Sequence, residues 1–184
     1  MVLRQLFRSI VVSVVFLVLL GLAYPAVETG IGQALFSHTA NGSLDSYGST
    51  LIGQTFKGPR WFQGRPEPAD NNPMASGGSN LGPRSKVLVR DVRQQVALLR
   101  KEGIAPRSSL VTTSGSGLDP DITPADAYDE APAVARANRL PLATVRHLVA
   151  THVTGRELGF LGSPYVDVLQ LNEALARAAG RGGR

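Results

Sequence analysis

The sequence contains no cysteine. Disulfide bonds, thiolate zinc sites and cysteine nucleophiles are therefore excluded together. The absence does not decide the compartment, because a domain of this size can be held by its hydrophobic core alone. An extracytoplasmic location is compatible with it.

Aromatic residues are also scarce, at 6% of the chain. The chain has a formal net charge of +5, but no aromatic residues are interleaved with its basic residues to form a stacking platform. Nucleic acid is therefore not expected as a partner. The sequence also lacks a Gly-x-x-x-x-Gly-Lys-Ser/Thr loop, so the usual phosphate cradle and its lysine are missing.

Charge is absent from the 19 residues of Ser9–Val27. As a helix this run spans about 28 Å, close to the roughly 30 Å hydrocarbon core, and predicts one transmembrane helix in contact with membrane lipid. Arg4 and Arg8 on the short flank favour a cytoplasmic N-terminus. The alternative is a cleaved signal peptide, which needs a shorter apolar stretch and small residues at the cleavage site. Pro25 lies where that cleavage would occur.

We therefore predict three segments. Residues 1–27 form a cytoplasmic head and anchor, 28–50 a juxtamembrane segment and linker, and 51–184 one extracytoplasmic α+β domain with a small sheet. The first residues after the anchor are expected to continue as a helix. The predicted elements that follow are a strand over 51–56, an irregular loop over 61–83, a helix over 85–101 ended by Gly103, a strand over 110–113, a helix from a cap at Thr123 that Pro132 should break or bend, a helix over 141–152 ended by Gly155, a strand over 166–171, a last helix capped by Asn172, and a frayed tail from Gly180.

The first candidate site is a glycine loop in the irregular segment. Its adjacent glycines would let backbone amides converge on an anion, and it is similar to the Ser-Gly-Gly signature of ATP-binding cassette proteins. The alternative is a purely structural loop. The residues concerned are Ser76, Gly77, Gly78, Ser79 and Asn80.

The second candidate site follows the predicted strand over 110–113. A nucleophile elbow would need Gly-x-Ser-x-Gly and a histidine partner, and the glycines here lie directly beside Ser116. A catalytic role is therefore not favoured. Five acids between Asp119 and Glu130 could attract cations, but a turn and a helix cap account for several of them. The residues of this second site are Ser114, Gly115, Ser116, Gly117 and Asp119.

Six motifs occur in a fixed order behind the single predicted span. They are Leu51-Ile52-Gly53-Gln54, Trp61-Phe62-x-x-Arg65-Pro66, 76–83 (Ser-Gly-Gly-Ser-Asn-Leu-Gly-Pro), 113–120 (Thr-Ser-Gly-Ser-Gly-Leu-Asp-Pro), Arg156-x-Leu158-Gly159-Phe160-Leu161-Gly162 and Val168-Leu169-x-Leu171-Asn172. Together they resemble the C subunit of the Kdp-type potassium-transporting ATPase. The resemblance extends from the anchor to the last helix.

The resemblance implies a non-catalytic accessory subunit of an inner-membrane pump that imports potassium at the expense of ATP. Its implied partners are a channel-like potassium-binding subunit, a P-type ATPase catalytic subunit and a small single-span subunit. The chain lacks the Asp-Lys-Thr-Gly-Thr phosphorylation motif of the catalytic subunit.

The resemblance also implies that the Ser-Gly-Gly loop contacts ATP and raises the nucleotide affinity of the catalytic subunit. ATP would then be bound only through the complex, with no tightly bound cofactor in this chain. That role conflicts with the periplasmic placement predicted from charge, and we give the topology precedence. Two alternatives stay open, a membrane-tethered nucleotide-binding or hydrolytic domain and a generic interaction module.

Overall fold

The computed structural model describes residues 2–45, 47–68 and 70–180. The chain divides into two compact units, Met1–Leu44 and Asp45–Arg184. The first contains a long apolar helix and the second contains helices with small sheets, so the α+β class is confirmed. The predicted tail over 181–184 lies outside the described residues.

The N-terminal helix is continuous from Val2 to Leu35. It consists of α1 (Val2–Val18), a π-helical segment (Leu19–Ala23) and α2 (Tyr24–Leu35). Pro25 lies two residues after the end of the π-helical segment. Because proline lacks an N–H and its ring crowds the carbonyl four residues earlier, the wider π turn lets the helix continue past it.

This helix is long and apolar enough to cross a membrane. Its mean hydropathy reaches 2.6 and none of that stretch is buried within the protein. Its 34 residues span about 51 Å, more than a hydrocarbon core of about 30 Å. The apolar helix predicted over 9–27 is therefore confirmed, and α2 covers its predicted continuation. A short helix, α3 (Ser37–Ala40), lies in the predicted linker.

The second unit is built mainly from helices. Its elements, with the strand that leads into it, are β1 (Leu44–Asp45), β2 (Gly48–Ser49), a 3-10 turn (Pro73–Ala75), α4 (Lys86–Glu102), α5 (Ser108–Val111), β3 (Asp121–Ile122), α6 (Pro124–Asn138), α7 (Leu142–Thr151), β4 (Val153–Thr154), β5 (Tyr165–Asp167) and α8 (Val168–Ala178). The strands β3, β5 and β4 form an antiparallel sheet in that order. Val166 at its centre pairs with Ile122 on one side and Val153 on the other.

Two hydrophobic clusters hold this unit together. The larger one joins the sheet to α6, α7 and α8, and consists of Phe62, Ile122, Ala127, Ala131, Val134, Ala135, Val145, Val149, Val166, Val168, Leu171 and Leu175. The smaller one, Leu99, Ile104, Leu110 and Ala133, joins the end of α4 to α5 and α6. Helix α6 contributes to both clusters, which makes it the central element of the fold.

The irregular segment around Phe62 crosses the larger cluster without joining a sheet. The Asn172 side chain makes the two backbone hydrogen bonds that a neighbouring strand would otherwise make. Its Oδ1 accepts from the Phe62 N–H and its Nδ2 donates to the Phe62 carbonyl, both at 2.9 Å. Glu130 Oε2 accepts from the Gln63 N–H at 2.8 Å, and Asn138 Nδ2 donates to the Arg60 carbonyl at 2.7 Å. Buried side chains of α6 and α8 thus satisfy the polar backbone of this segment.

Two predicted strands are wrong. The segment over 51–56 is irregular, and its Gly53 N–H donates to the carbonyl of Leu118, which lies in another loop. The run over 110–113 instead contributes to the short helix α5, where Leu110 is buried in the smaller cluster. An apolar run of four to six residues is too short to show whether its apolar positions repeat with the period of a strand or with that of a helix.

The predictions for the following helices are partly wrong. Pro132 does not break α6, because Ala131 and its neighbours are packed on both sides and this burial outweighs one missing hydrogen bond. Helix α7 ends before Gly155, and strand β4 lies between them. Asn172 does not cap α8; the Asp167 side chain does, by accepting from Gln170 N–H at 2.7 Å. The predicted strand over 166–171 therefore ends at Asp167.

The helix predicted over 85–101 is confirmed almost to the residue. Ser85 is its N-cap and accepts from the Leu88 N–H at 3.4 Å, and Gly103 adopts a left-handed conformation at its C-terminus. The cap at Thr123 is also confirmed as a complete capping box with Asp126.

Candidate functional site

The two predicted glycine loops lie against each other. Ser76 Oγ donates to the Ser116 carbonyl at 2.8 Å. A Cβ added to Gly78 would lie 3.3 Å from the carbonyl oxygens of Ser114 and Gly115. Only small residues allow this approach of one backbone to another.

The closest approach involves Gly117. It has φ +69, a conformation that favours glycine, and a Cβ there would overlap the Gly77 carbonyl oxygen. Gly78 and Gly117 therefore have a demonstrable packing role, whereas a side chain at Gly115 would meet open space. We call residues 76–80 and 114–117 the glycine-loop pair.

Several amides that could have received an anion already have partners within the protein. Ser114 N–H donates to Glu67 Oε2 at 3.3 Å, Gly117 N–H to Ser114 Oγ at 2.8 Å, and Leu118 N–H to Ser116 Oγ at 3.2 Å. The Glu67 carboxylate also places negative charge beside the loop. Any incoming phosphate would have to displace these contacts and approach that charge.

The Ser79–Asn80 end of the first loop lies on a groove. Ser79 lines a groove of about 320 Å³ together with Leu88 and Leu98 of α4 and with Pro66. Asn80 has φ +52, a left-handed conformation that asparagine adopts more readily than most residues. The contacts between the two loops run from Ser76, Gly77 and Gly78 to residues 114–117, and the groove borders the first loop at Ser79.

The tenth candidate, Asp119, is held by an arginine that the sequence-based list of site residues missed. Arg65 Nη1 donates to Asp119 Oδ2 at 3.0 Å, and Arg65 Nη2 donates to the Thr113 carbonyl at 2.9 Å. Both charged side chains are about three-quarters buried. Arg65 thus fastens the irregular segment to the second loop. Arg65 belongs to the Trp61-Phe62-x-x-Arg65-Pro66 motif, and this is the signal in the sequence that could have identified it as a site residue.

The acids after Asp119 do not form one cluster. Asp126 is fully buried, and its Oδ2 accepts from Thr123 Oγ1 at 2.7 Å and from Ser109 Oγ at 2.6 Å. Asp129 forms an ion pair with Arg107. In the parts of the chain that the structure describes, no three His, Asp or Glu side chains are grouped to hold a metal ion.

Two further acids have raised pKa values. Burial, with added repulsion from Asp126 and Glu102, raises the pKa of Glu130 to about 8. Burial, followed by repulsion from Asp119 and Asp167, raises the pKa of Asp121 to about 6. Glu130 is only 1% exposed, so it acts on the backbone of the folded unit, at Gln63 N–H, and does not contact solvent.

The comparisons with known proteins agree over nearly the whole chain. A family model described as KdpC, "K+-transporting ATPase, c chain", matches residues 6–177. Proteins named "Potassium-transporting ATPase KdpC subunit" are similar throughout. The one from Acidobacterium capsulatum is 45% identical over 176 residues, which cover 92% of this chain and 96% of the relative.

Two other relatives with this name give the same result. The protein from Burkholderia vietnamiensis is 47% identical over 183 residues, covering 93% of this chain and 95% of its own. The protein from Caulobacter vibrioides is 48% identical over 170 residues, covering 87% and 86%. The match includes both the apolar helix and the folded unit. This chain therefore belongs to the KdpC family, the c chains of potassium-transporting ATPases.

Proposed function

We propose that this chain is an accessory subunit of an ATP-driven, high-affinity potassium import pump, and that it stabilises the assembled complex. The observation that carries the proposal is the family match over residues 6–177, which includes the membrane-spanning candidate and the folded unit together. Its partners would be the channel-like potassium-binding subunit, the P-type catalytic subunit and the small single-span subunit.

A non-catalytic role is supported by the chemistry of the glycine-loop pair. Ser114 Oγ lies 3.2 Å from Ser116 Oγ and accepts from Gly117 N–H, so both hydroxyls serve the turn itself. Ser76 Oγ is engaged with the facing loop. The hydroxyls of these serines hold the loops in place by hydrogen bonds, and the glycine-loop pair would form part of the surface that contacts the other subunits.

The glycine-loop pair is also where a nucleotide role would reside. To raise the ATP affinity of the catalytic subunit, the amide N–H groups of the loops would have to donate to phosphate. The N–H groups of Ser114 and Gly117 already donate to Glu67 Oε2 and Ser114 Oγ. We therefore favour partner contact over ATP contact. Binding of labelled ATP to the full chain in detergent tests this preference, and we expect no binding. Binding by the wild type that Gly78→Val abolishes would establish the nucleotide role instead.

We place the chain in the inner membrane with its N-terminus in the cytoplasm and its second unit in the periplasm. Arg4 and Arg8 beside the apolar helix support this orientation. Protease added to intact spheroplasts should digest the second unit and leave the anchor. Protection of that unit until the membrane is broken would reverse the orientation.

Co-purification in mild detergent tests the proposed function. The tagged chain should bring larger membrane subunits with it, and its deletion should impair growth when potassium is limiting. A chain that purifies alone, from cells whose potassium-limited growth does not depend on it, would contradict the proposal.

A further inference from the structure

Helix α4 carries its basic residues on one face. Their spacing along the helix places them within an arc of about 100° around its axis. The side that packs on the core, with Leu99, lies opposite, and both acids of the helix fall outside the arc. We call this set the basic face; it consists of Lys86, Arg90, Arg93, Arg100 and Lys101.

The basic face is available to a partner of opposite charge. All five side chains are exposed. Arg90 pairs with Asp91 at 2.8 Å, but that pair is exposed to solvent and therefore weak. The other four bases form no ion pair in the part of the chain that the structure describes. The face runs for about 23 Å along the helix, so its positive charge is spread over a line and not concentrated at a point.

Arg84, just before the helix, adds to this charge. Together with Lys86, Arg90 and Arg93 it borders an open depression of about 500 Å³, and every charged side chain that lines the depression is basic. Val89 also lines it and is 41% exposed. An apolar side chain among basic ones suits the boundary between the phosphate headgroups and the acyl chains of a bilayer.

A lipid surface fits the basic face better than an acidic protein surface does. Helix α4 contains no aromatic residue, whereas the anchors of protein interfaces are enriched in Trp and Tyr, and Lys is depleted there. A cluster of roughly four to eight Lys and Arg on an amphipathic helix is typical of binding to anionic lipid. The same chain also carries a helix that is long and apolar enough to cross a bilayer, which would keep lipid at a high local concentration around the tethered unit.

We propose that the basic face of α4 binds the headgroups of anionic phospholipids in the membrane that holds the N-terminal helix. The contact would restrict the orientations of the second unit at the membrane before any other subunit binds. This inference goes beyond the proposed function, because it depends on the anchor and not on any other subunit of the pump.

A single fluorescent probe tests whether the basic face lies on lipid. The chain has no cysteine, so Val89→Cys allows one position of the full chain to be labelled. The labelled chain is reconstituted into vesicles of phosphatidylglycerol or of phosphatidylcholine, both with a headgroup-spin-labelled lipid that quenches a nearby dye. The control is Ala143→Cys, at an exposed position on α7. In phosphatidylglycerol we expect stronger quenching at position 89 than at position 143, and in phosphatidylcholine equally weak quenching at both.

Charge reversal tests the side chains themselves. Lys86→Glu with Arg93→Glu, in the chain labelled at position 89, should reduce the quenching in phosphatidylglycerol to that of the control position. The reason is that each base at an anionic surface shifts the equilibrium toward the bound state by about fivefold. Arg146→Glu with Arg156→Glu makes the same change of charge at two exposed positions outside α4 and should leave the quenching unchanged. Unfolding followed by Trp61 fluorescence should be unaltered in both variants, since all four side chains are exposed.

Several results would overturn the inference. Equal quenching at positions 89 and 143 in phosphatidylglycerol would show that the basic face does not lie on lipid. Equal quenching at position 89 in the two lipids would show that charge does not hold it there, and equal loss in the two double variants would show that only net charge matters. A dye at position 89 that lipid vesicles leave unquenched, and that becomes shielded from a soluble quencher only in membranes containing the whole pump, would assign the face to an acidic protein surface instead.

Discussion

Replacement of Glu130 by glutamine should remove most of the loss of stability that the wild type shows as pH rises toward 8, leaving the smaller contribution of Asp121 below about pH 6. Glu130 is 1% exposed; its Oε2 accepts from Gln63 N–H, and its Oε1 has no hydrogen-bond partner among the described residues. Burial and the negative charge of Asp126 and Glu102 raise its pKa from about 4.5 to about 8. The folded protein therefore keeps a proton that the unfolded chain releases.

The sign and size follow from this difference. Between pH 4.5 and 8 the folded state binds one more proton than the unfolded state, so the free energy of unfolding falls as pH rises, by about 1.4 kcal/mol per pH unit. The stabilisation is fully present below pH 4.5 and lost by pH 8, a total of about 5 kcal/mol. Glu130→Gln keeps the acceptor for Gln63 and carries no titrating proton. It should match the wild type near pH 5 and exceed it at pH 8.5.

The assay is urea unfolding of the full chain in a non-ionic detergent at several pH values. Trp61 is the only tryptophan, and its ring lies 5.8 Å from that of Phe56, so its fluorescence reports on the second unit. Glu157→Gln, at an exposed position, is the matched control and should keep the wild-type slope. Equal slopes for wild type and Glu130→Gln between pH 5 and 8 would refute the reasoning.

Three further substitutions probe contacts of the same unit by the same unfolding measurement. Asn172→Ala leaves the buried N–H and carbonyl of Phe62 unpaired and should cost about 3 kcal/mol; a loss below about 1 kcal/mol would show that water replaces the side chain. Gly117→Ala forces a side chain into the facing loop at φ +69 and should cost about 2–4 kcal/mol, whereas Gly115→Ala, which points into open space, should be close to neutral. Thr123→Ala removes the capping box and should cost about 1–2 kcal/mol; no loss would mean that packing alone holds the start of α6.

Sequence reasoning succeeded where the signal was local. Ser85 and Gly103 bound α4 because a cap acts within one turn of the helix end. The Thr123 capping box is equally short in range. The apolar helix was predictable because its length and lack of charge leave few other structures open to it.

It failed where partners distant in sequence decided the outcome. Asn172 was predicted as a cap, and instead it satisfies the backbone of Phe62, 110 residues away. Pro132 was expected to break or bend α6, and the helix instead continues past it between the two hydrophobic clusters. Neither partner can be identified from the neighbouring residues.

The candidate site shows the same division. The two glycine loops were identified from composition, but their packing on each other and the Arg65–Asp119 ion pair were not. The sequence shows where the glycines stand, but it shows neither which of them is closely packed nor which residue packs against it.

The sequence by itself determined the single apolar helix, the ends of α4, the start of α6 and membership of the family, because each depends on residues that are neighbours in the chain or on motifs in a fixed order. Only the tertiary structure decided which loops meet, which acids are buried, and which side chain completes the backbone hydrogen bonds of Phe62. The contact between the loops, the burial of Glu130 against Gln63 and the Asn172–Phe62 hydrogen bonds join residues 40 to 110 positions apart, and their geometry is set when the two clusters pack around α6.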